Sequence, residues 1–161
     1  PALPPEPGPT HAPAGGARSR LNEPTTTAEG AEMSETWKPE SYTTVSPYLI
    51  VDGAGGTIEF VTKVLGATEL RRFPDDKGRV MHAEVRSGDS VVMIADGNEG
   101  WPPIGAHVHV YVQDVDATYR RALEAGAESI QEPVRKEDED KRGAVKDAGG
   151  TTWWIATRQD S

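Results

Sequence analysis

Residues 107–112, HVHVYV, alternate strictly: Val108, Val110 and Val112 fall on one side and His107, His109 and Tyr111 on the other. A period of two marks a strand with one face packed under other structure. The valine face takes that packing. The two histidines and the tyrosine then line solvent, the wall of a ligand cavity or a metal site, since neutral imidazole is a common ligand for zinc, iron, nickel and copper.

Helical spacing appears twice. In TIEFVTKVL, Ile58, Val61 and Leu65 share one face, and Gly66 supplies a left-handed stop. In VDATYRRALEA the stripe is Val115, Tyr119, Ala122 and Leu123, with Asp114 as N-cap and Gly126 as stop. Extended segments surround both helices: TVSPYLIV (44–51), ATELRRF, GRVMHAEVR and SVVMIAD around the first, then HVHVYV, AESIQE, RGAVKD and TTWWIAT around the second. The two halves repeat. GDSVVMIA (88–95) corresponds to GGTTWWIA (149–156) with an offset of 61, which also sets Val51 on Val112. The chain therefore reads as an α+β protein built from two βαβββ modules, residues 44–98 and 106–158, joined by a linker at 99–105.

Composition changes the picture only before residue 44. Eight of the 13 prolines lie within residues 1–39, among Ala, Gly, Ser, Thr and Glu. Burial there cannot offset ordering entropy, so residues 1–43 read as a flexible N-terminal tail. Length and a 35% hydrophobic content suit one ordinary core. The net charge of -9 argues against a nucleic-acid partner, and the absence of cysteine excludes disulfides and thiolate chemistry. No apolar run approaches the roughly 20 residues that span a bilayer, so no membrane partner is expected and the expected location is cytoplasmic.

The stretches PYLIVDG, IEFVTKVLGA, GRVMHAEVRSGDSVVMIAD, HVHVYVQDVDATYRRALEAGA and WWIATR resemble the glyoxalase/bleomycin-resistance/extradiol-dioxygenase, or vicinal oxygen chelate, superfamily, and within it the PhnB-like branch. The resemblance covers about residues 44–158. It implies that the modules form a curved, open mixed sheet around a cavity, usually in a homodimer. Metal-dependent members similar to glyoxalase I carry four ligands on the first and last strands of each module. These positions fall on Ser46, Met93, His107 and Trp154, of which only His107 suits a hard metal. No metal cofactor is therefore expected. A divalent transition metal would need other ligands, for which His82 and Glu84 in VMHAEV are the candidates, their alternative being a polar outer face opposite Met81, Ala83 and Val85.

Other chemistries lack their motifs. There is no Gly-x-Ser-x-Gly elbow, and DGAGGT at 52–57 is neither a P-loop nor a dinucleotide fingerprint but a turn into a helix. The run RKEDEDKR (135–142) reads as a solvated loop, with a lid over the cavity as the minority alternative. Near it the chain departs from the PhnB-like pattern, having DEDKRG and DAGGTT where relatives show aromatic-Gly-Asp-Arg and Asp-Pro-Phe-Gly-His. The inward residues are then Tyr48, Ile50, Met93, His107, His109, Tyr111 and Trp154, an apolar and aromatic set with a few polar groups. The expected function is binding or sequestering of a small aromatic or cationic molecule. The alternative is a metal-dependent lyase, isomerase or dioxygenase using His107.

Overall fold

The computed structural model describes residues 37–137 and 139–159. The expectation for the proline-rich tail, up to residue 36, lies outside them. Ten elements follow in the order β1 (Tyr48–Val51), α1 (Ala54–Leu65), β2 (Thr68–Pro74), β3 (Val80–Ser87), β4 (Ser90–Asp96), β5 (Ala106–Tyr111), α2 (Val115–Glu124), β6 (Glu128–Arg135), β7 (Asp140–Lys146) and β8 (Thr151–Arg158). They form two four-stranded mixed sheets of identical topology, β1-β4-β3-β2 and β5-β8-β7-β6. The expected pair of βαβββ modules is what the chain builds.

The repeat extends to register. β1 pairs with β4 in parallel, Tyr48 opposite Met93, and β5 pairs with β8 in parallel, His109 opposite Trp154. Both residues of the second pair lie 61 positions after their counterparts. One face of each sheet packs under the helices. Leu49, Val51, Val85, Val92 and Ile94 from the first sheet and Val145, Trp153 and Ile155 from the second join Ile58, Val61, Val64, Tyr119 and Ala122 in a single core. Trp153 meets Phe60 of α1 with ring centroids 6.4 Å apart, so the core runs from one module into the other.

The turn before β8 also presses on α1. A Cβ on Gly149 would stand 2.4 Å from Thr57 Oγ1, which makes the glycine a requirement of close approach. Among the described residues, the opposite sheet faces carry no helix. There Tyr48, Met81 and Tyr111 remain 52%, 64% and 65% exposed.

The helices end as their sequences suggest, with one long-range addition. Gly66 caps α1 at φ 65, and the Asp114 carboxylate accepts from Ala117 N at the start of α2. The glycine-rich start of α1 has no side-chain cap of its own. Instead Asp96, at the end of β4, accepts from Gly53 N at 3.1 Å and Ala54 N at 2.7 Å, while its other oxygen accepts from Val80 N at 2.8 Å. An anion at a helix N-terminus satisfies otherwise orphaned donors. Asp96→Ala should lower stability by about 1–2 kcal/mol, measured by urea denaturation, whereas an unchanged midpoint would show that water replaces the cap.

Two expected assignments shift. The first strand is short, Tyr48–Val51 rather than 44–51, because Pro47 precedes it and cannot donate to a ladder. Leu123, placed on the buried stripe of α2, is 38% exposed, and Thr118 is buried in that helix instead. No described helix is long and apolar enough to cross a membrane.

Candidate functional site

Strand alternation decides which side chains reach the open faces. In β5, Val108 and Val110 pack on the core, leaving His107, His109 and Tyr111 on the other side. In β8, Trp153 is 1% exposed, whereas the next residue, Trp154, lines a hollow. That hollow, about 260 Å³, is bounded by His109, Gln131, Val134, Lys136, Asp140, Arg142 and Trp154. A second hollow, about 320 Å³, lies on the open face of the first module and is lined by Tyr48, Ile50, Met81, Ala95, Asp96, Asn98 and Trp101. The seven residues expected to face one cavity are thus divided. Tyr48 and Ile50 serve the first-module hollow, His109 and Trp154 the second-module one. Met93 lies on the first sheet's open face beside Tyr48, His107 lies on β5 against Trp154, and Tyr111, together with His109, lines a further hollow of about 310 Å³ with Val45, Leu65 and Val85. The two sheets share a core through their helix faces, which leaves each open face its own concavity.

In the second module the aromatic groups fix one another. The Trp154 indole donates through Nε1 to His107 Nδ1 at 3.0 Å, with the rings stacked at 6.2 Å and 23°. His109 meets Tyr111 edge-on at 4.8 Å. The Tyr111 hydroxyl donates to Asp140 Oδ2 at 3.0 Å, and that bond raises the tyrosine above its ordinary pKa. Arg142 Nη2 also donates to Asp140 Oδ2, at 3.0 Å.

These groups correct the reading of the charged run. Arg135 ends β6 and Asp140 begins β7, so only the residues between them connect the strands. Asp140 is 8% exposed rather than solvated. Gln131, Lys136, Asp140 and Arg142 are the site residues that sequence reasoning missed. The signal was present, since Asp140, Arg142 and Ala144 alternate as one strand face, but the density of charge concealed it.

The first module places His82 and Glu84 where a polar outer face was the alternative. Glu84 pairs with Met93, and Met93 with Tyr48, so Glu84 shares their open face. It is nevertheless only 5% exposed. Tyr42 donates its hydroxyl to Glu84 Oε2, Arg71 Nε approaches the same oxygen at 3.0 Å, and His82 Nε2 lies 3.0 Å from Oε1. Met81 also departs from expectation. A register shift between Phe73 and Pro74 sets Pro74 opposite Val80, leaving Met81 without a partner on β2, and its side chain lines the open hollow beside Tyr48.

Burial alone would raise the Glu84 carboxyl. The Tyr42 and His82 hydrogen bonds and the Arg71 charge outweigh it and hold the group below the usual glutamate range. A carboxylate depressed in the folded state contributes stability that is complete above its unfolded pKa, about 4.3, and is lost as pH falls through the lower folded value. Wild-type stability should therefore fall over that acid window, while Glu84→Gln should be less stable at neutral pH and show a shallower fall. Parallel curves from urea titrations at stepped pH would contradict the assignment.

The implied metal does not fit these side chains. Both Glu84 oxygens are taken, and the Arg71 guanidinium beside them opposes a cation. The lone pair of His107 Nδ1 receives the Trp154 N–H, so in the neutral ring Nε2 carries the proton and neither nitrogen can ligate. Ser46 shares a hydrogen bond with Thr43 at 3.3 Å, and among the described residues no three His, Asp or Glu side chains gather to hold an ion.

Comparison with known proteins agrees with this architecture. The chain is 35% identical over 123 residues to the uncharacterized protein Mb0911c of Mycobacterium bovis, an overlap that covers 68% of this chain and 79% of the other. TioX from Micromonospora sp. ML1 superposes with a TM-score of 0.59 at 23% identity, covering 74% of this chain and 98% of TioX. TnmS3, an antibiotic binding protein from Streptomyces sp. CB03234, superposes at 0.56 with 18% identity, covering 73% of this chain and all of TnmS3 (100%). At those identities the two structures attest the fold alone. The sequence pattern named Glyoxalase/Bleomycin resistance protein/Dioxygenase superfamily matches residues 42–155, and the chain belongs to that superfamily.

Proposed function

We propose that this chain binds or sequesters a planar, mainly apolar small molecule on the Trp154 face of the second module, without a metal cofactor. The observation that carries the reading is the Trp154 indole. It lines a hollow of about 260 Å³ and is held in place by His107, so a ring is presented for stacking at little further ordering cost. A structural neighbour that binds an antibiotic supports the same use of the fold. Lys136 on the wall of the hollow favours a neutral or anionic aromatic guest over the cationic one.

The working unit in this proposal is a homodimer of a cytoplasmic, PhnB-like protein. Exposed Trp37, Val45 and Ile104 give a second copy apolar surface to cover. The metal-dependent lyase, isomerase or dioxygenase is set aside because His107 offers no lone pair in this arrangement.

Titration with anthracene carboxylate should change indole fluorescence saturably, and aminoacridine, of similar shape and opposite charge, should bind more weakly. Equal or reversed affinities would overturn the charge preference. Elemental mass spectrometry of protein purified without chelator should show well under one transition metal per chain. Stoichiometric metal that disappears in His107→Ala would overturn the binding-protein reading.

A further inference from the structure

The open face of the first module carries a hydrogen-bonded chain that guest binding at Trp154 does not use. Glu84, ionised, can only accept. His82 Nε2, 3.0 Å from Glu84 Oε1, must therefore carry a proton and donate it. In the neutral imidazole this leaves Nδ1 as an acceptor, and the Tyr48 hydroxyl, 3.2 Å away, is the donor to it. The order is fixed from buried carboxylate to imidazole to phenol, and its last member, Tyr48, lines the hollow of about 320 Å³.

The groups around His82 maintain that order. Tyr48 meets it edge-on from β1 at 5.5 Å, Phe73 stacks on it from β2 at 6.4 Å, and Glu84 lies on its own strand. Arg71 and Tyr42 bind the far oxygen of Glu84, keeping the carboxylate aimed at the imidazole. A surface ornament would not require Glu84 to be 5% exposed with both its oxygens committed.

We propose that Glu84, His82 and Tyr48 form a proton relay that accepts the acidic hydroxyl proton of a phenolic ligand bound in the first-module hollow. Tyr48 Oη takes the ligand's proton as its own passes to His82 Nδ1. The imidazolium that results is held by Glu84, and the ligand remains as a phenolate hydrogen-bonded by the Tyr48 hydroxyl. Met81 and Trp101 provide apolar walls for the ring. Tyr48 is the group that touches the ligand, while His82 holds the proton and Glu84 positions His82.

Para-nitrophenol is a direct probe, because its phenolate alone absorbs strongly in the visible. In buffer well below the pH at which the free phenol ionises, saturating full-length protein should raise the phenolate fraction about tenfold, equivalent to one pKa unit. His82→Gln, which keeps a polar group but no base, should remove the rise, and so should Tyr48→Phe, which serves if the His82 variant fails to fold. An excess of anthracene carboxylate should leave the signal intact, since the Trp154 hollow is separate. No rise in wild type, a rise that survives in both variants, or displacement by anthracene carboxylate would overturn the relay.

Discussion

Trp153→Leu should destabilise the protein by about 3 kcal/mol, within the range for shrinking a buried aromatic side chain. Trp153 is 1% exposed and meets Phe60 across the boundary between modules, so its removal opens a void where both halves of the core depend on it. Its indole Nε1 donates to Asp147 Oδ2 at 3.0 Å, and Asp147 is itself 6% exposed. Leucine leaves that carboxylate oxygen without its donor in a buried place, and an orphaned buried acceptor carries a further cost. The check is a urea unfolding curve, where the midpoint should fall strongly. Guest affinity, measured under conditions where the variant is folded, should change little.

The neighbouring substitution should do the opposite. Trp154→Leu removes a ring on the open face, where it packs on His107 rather than on the core, so the unfolding midpoint should move little. Guest affinity should fall by about 1–3 kcal/mol, the scale of deleting one aromatic stacking partner from a binding surface. Most of the fluorescence response should disappear with it. Adjacent tryptophans, one in the core and one on the open face, are the consequence of a strand whose faces look in opposite directions. If Trp153→Leu abolished binding and Trp154→Leu unfolded the chain, the assignment of every open-face residue would be reversed.

That opposition was legible in the sequence because alternation is a local signal. HVHVYV and TTWWIAT each specify two faces, and the 61-residue offset fixes which positions in the other module correspond. The same pattern placed Gly66 and Asp114 at helix ends, where the structure has them. What local reading could not supply were partners far apart in the chain. Asp96 caps a helix that begins 42 residues earlier, and Tyr42 reaches Glu84 across the same separation.

The division of the site into two hollows was likewise hidden. Face assignment says which side a residue occupies but not which other residues share its concavity. Tyr48 and Trp154 have matching faces in matching modules yet line different hollows. Charge density misled in a further way. Asp140 and Arg142 look solvated in RKEDEDKR, but β7 pairs with both β6 and β8, and that pairing draws them into the site with Tyr111. The bulge at Met81 arises from pairing with β2 and leaves no mark in a strand that alternates acceptably without it.

Whether a guest lies against Trp154 is read from the indole N–H resonances of nitrogen-15-labelled protein during titration with anthracene carboxylate. The chain has four tryptophans, each giving one such signal. The Trp154 resonance should shift saturably, because stacking on its ring also perturbs the bond from Nε1 to His107, while the buried Trp153 resonance should stay in place. A saturable shift confined to Trp101 or Trp153, with Trp154 unmoved, would mean that the guest does not lie against Trp154.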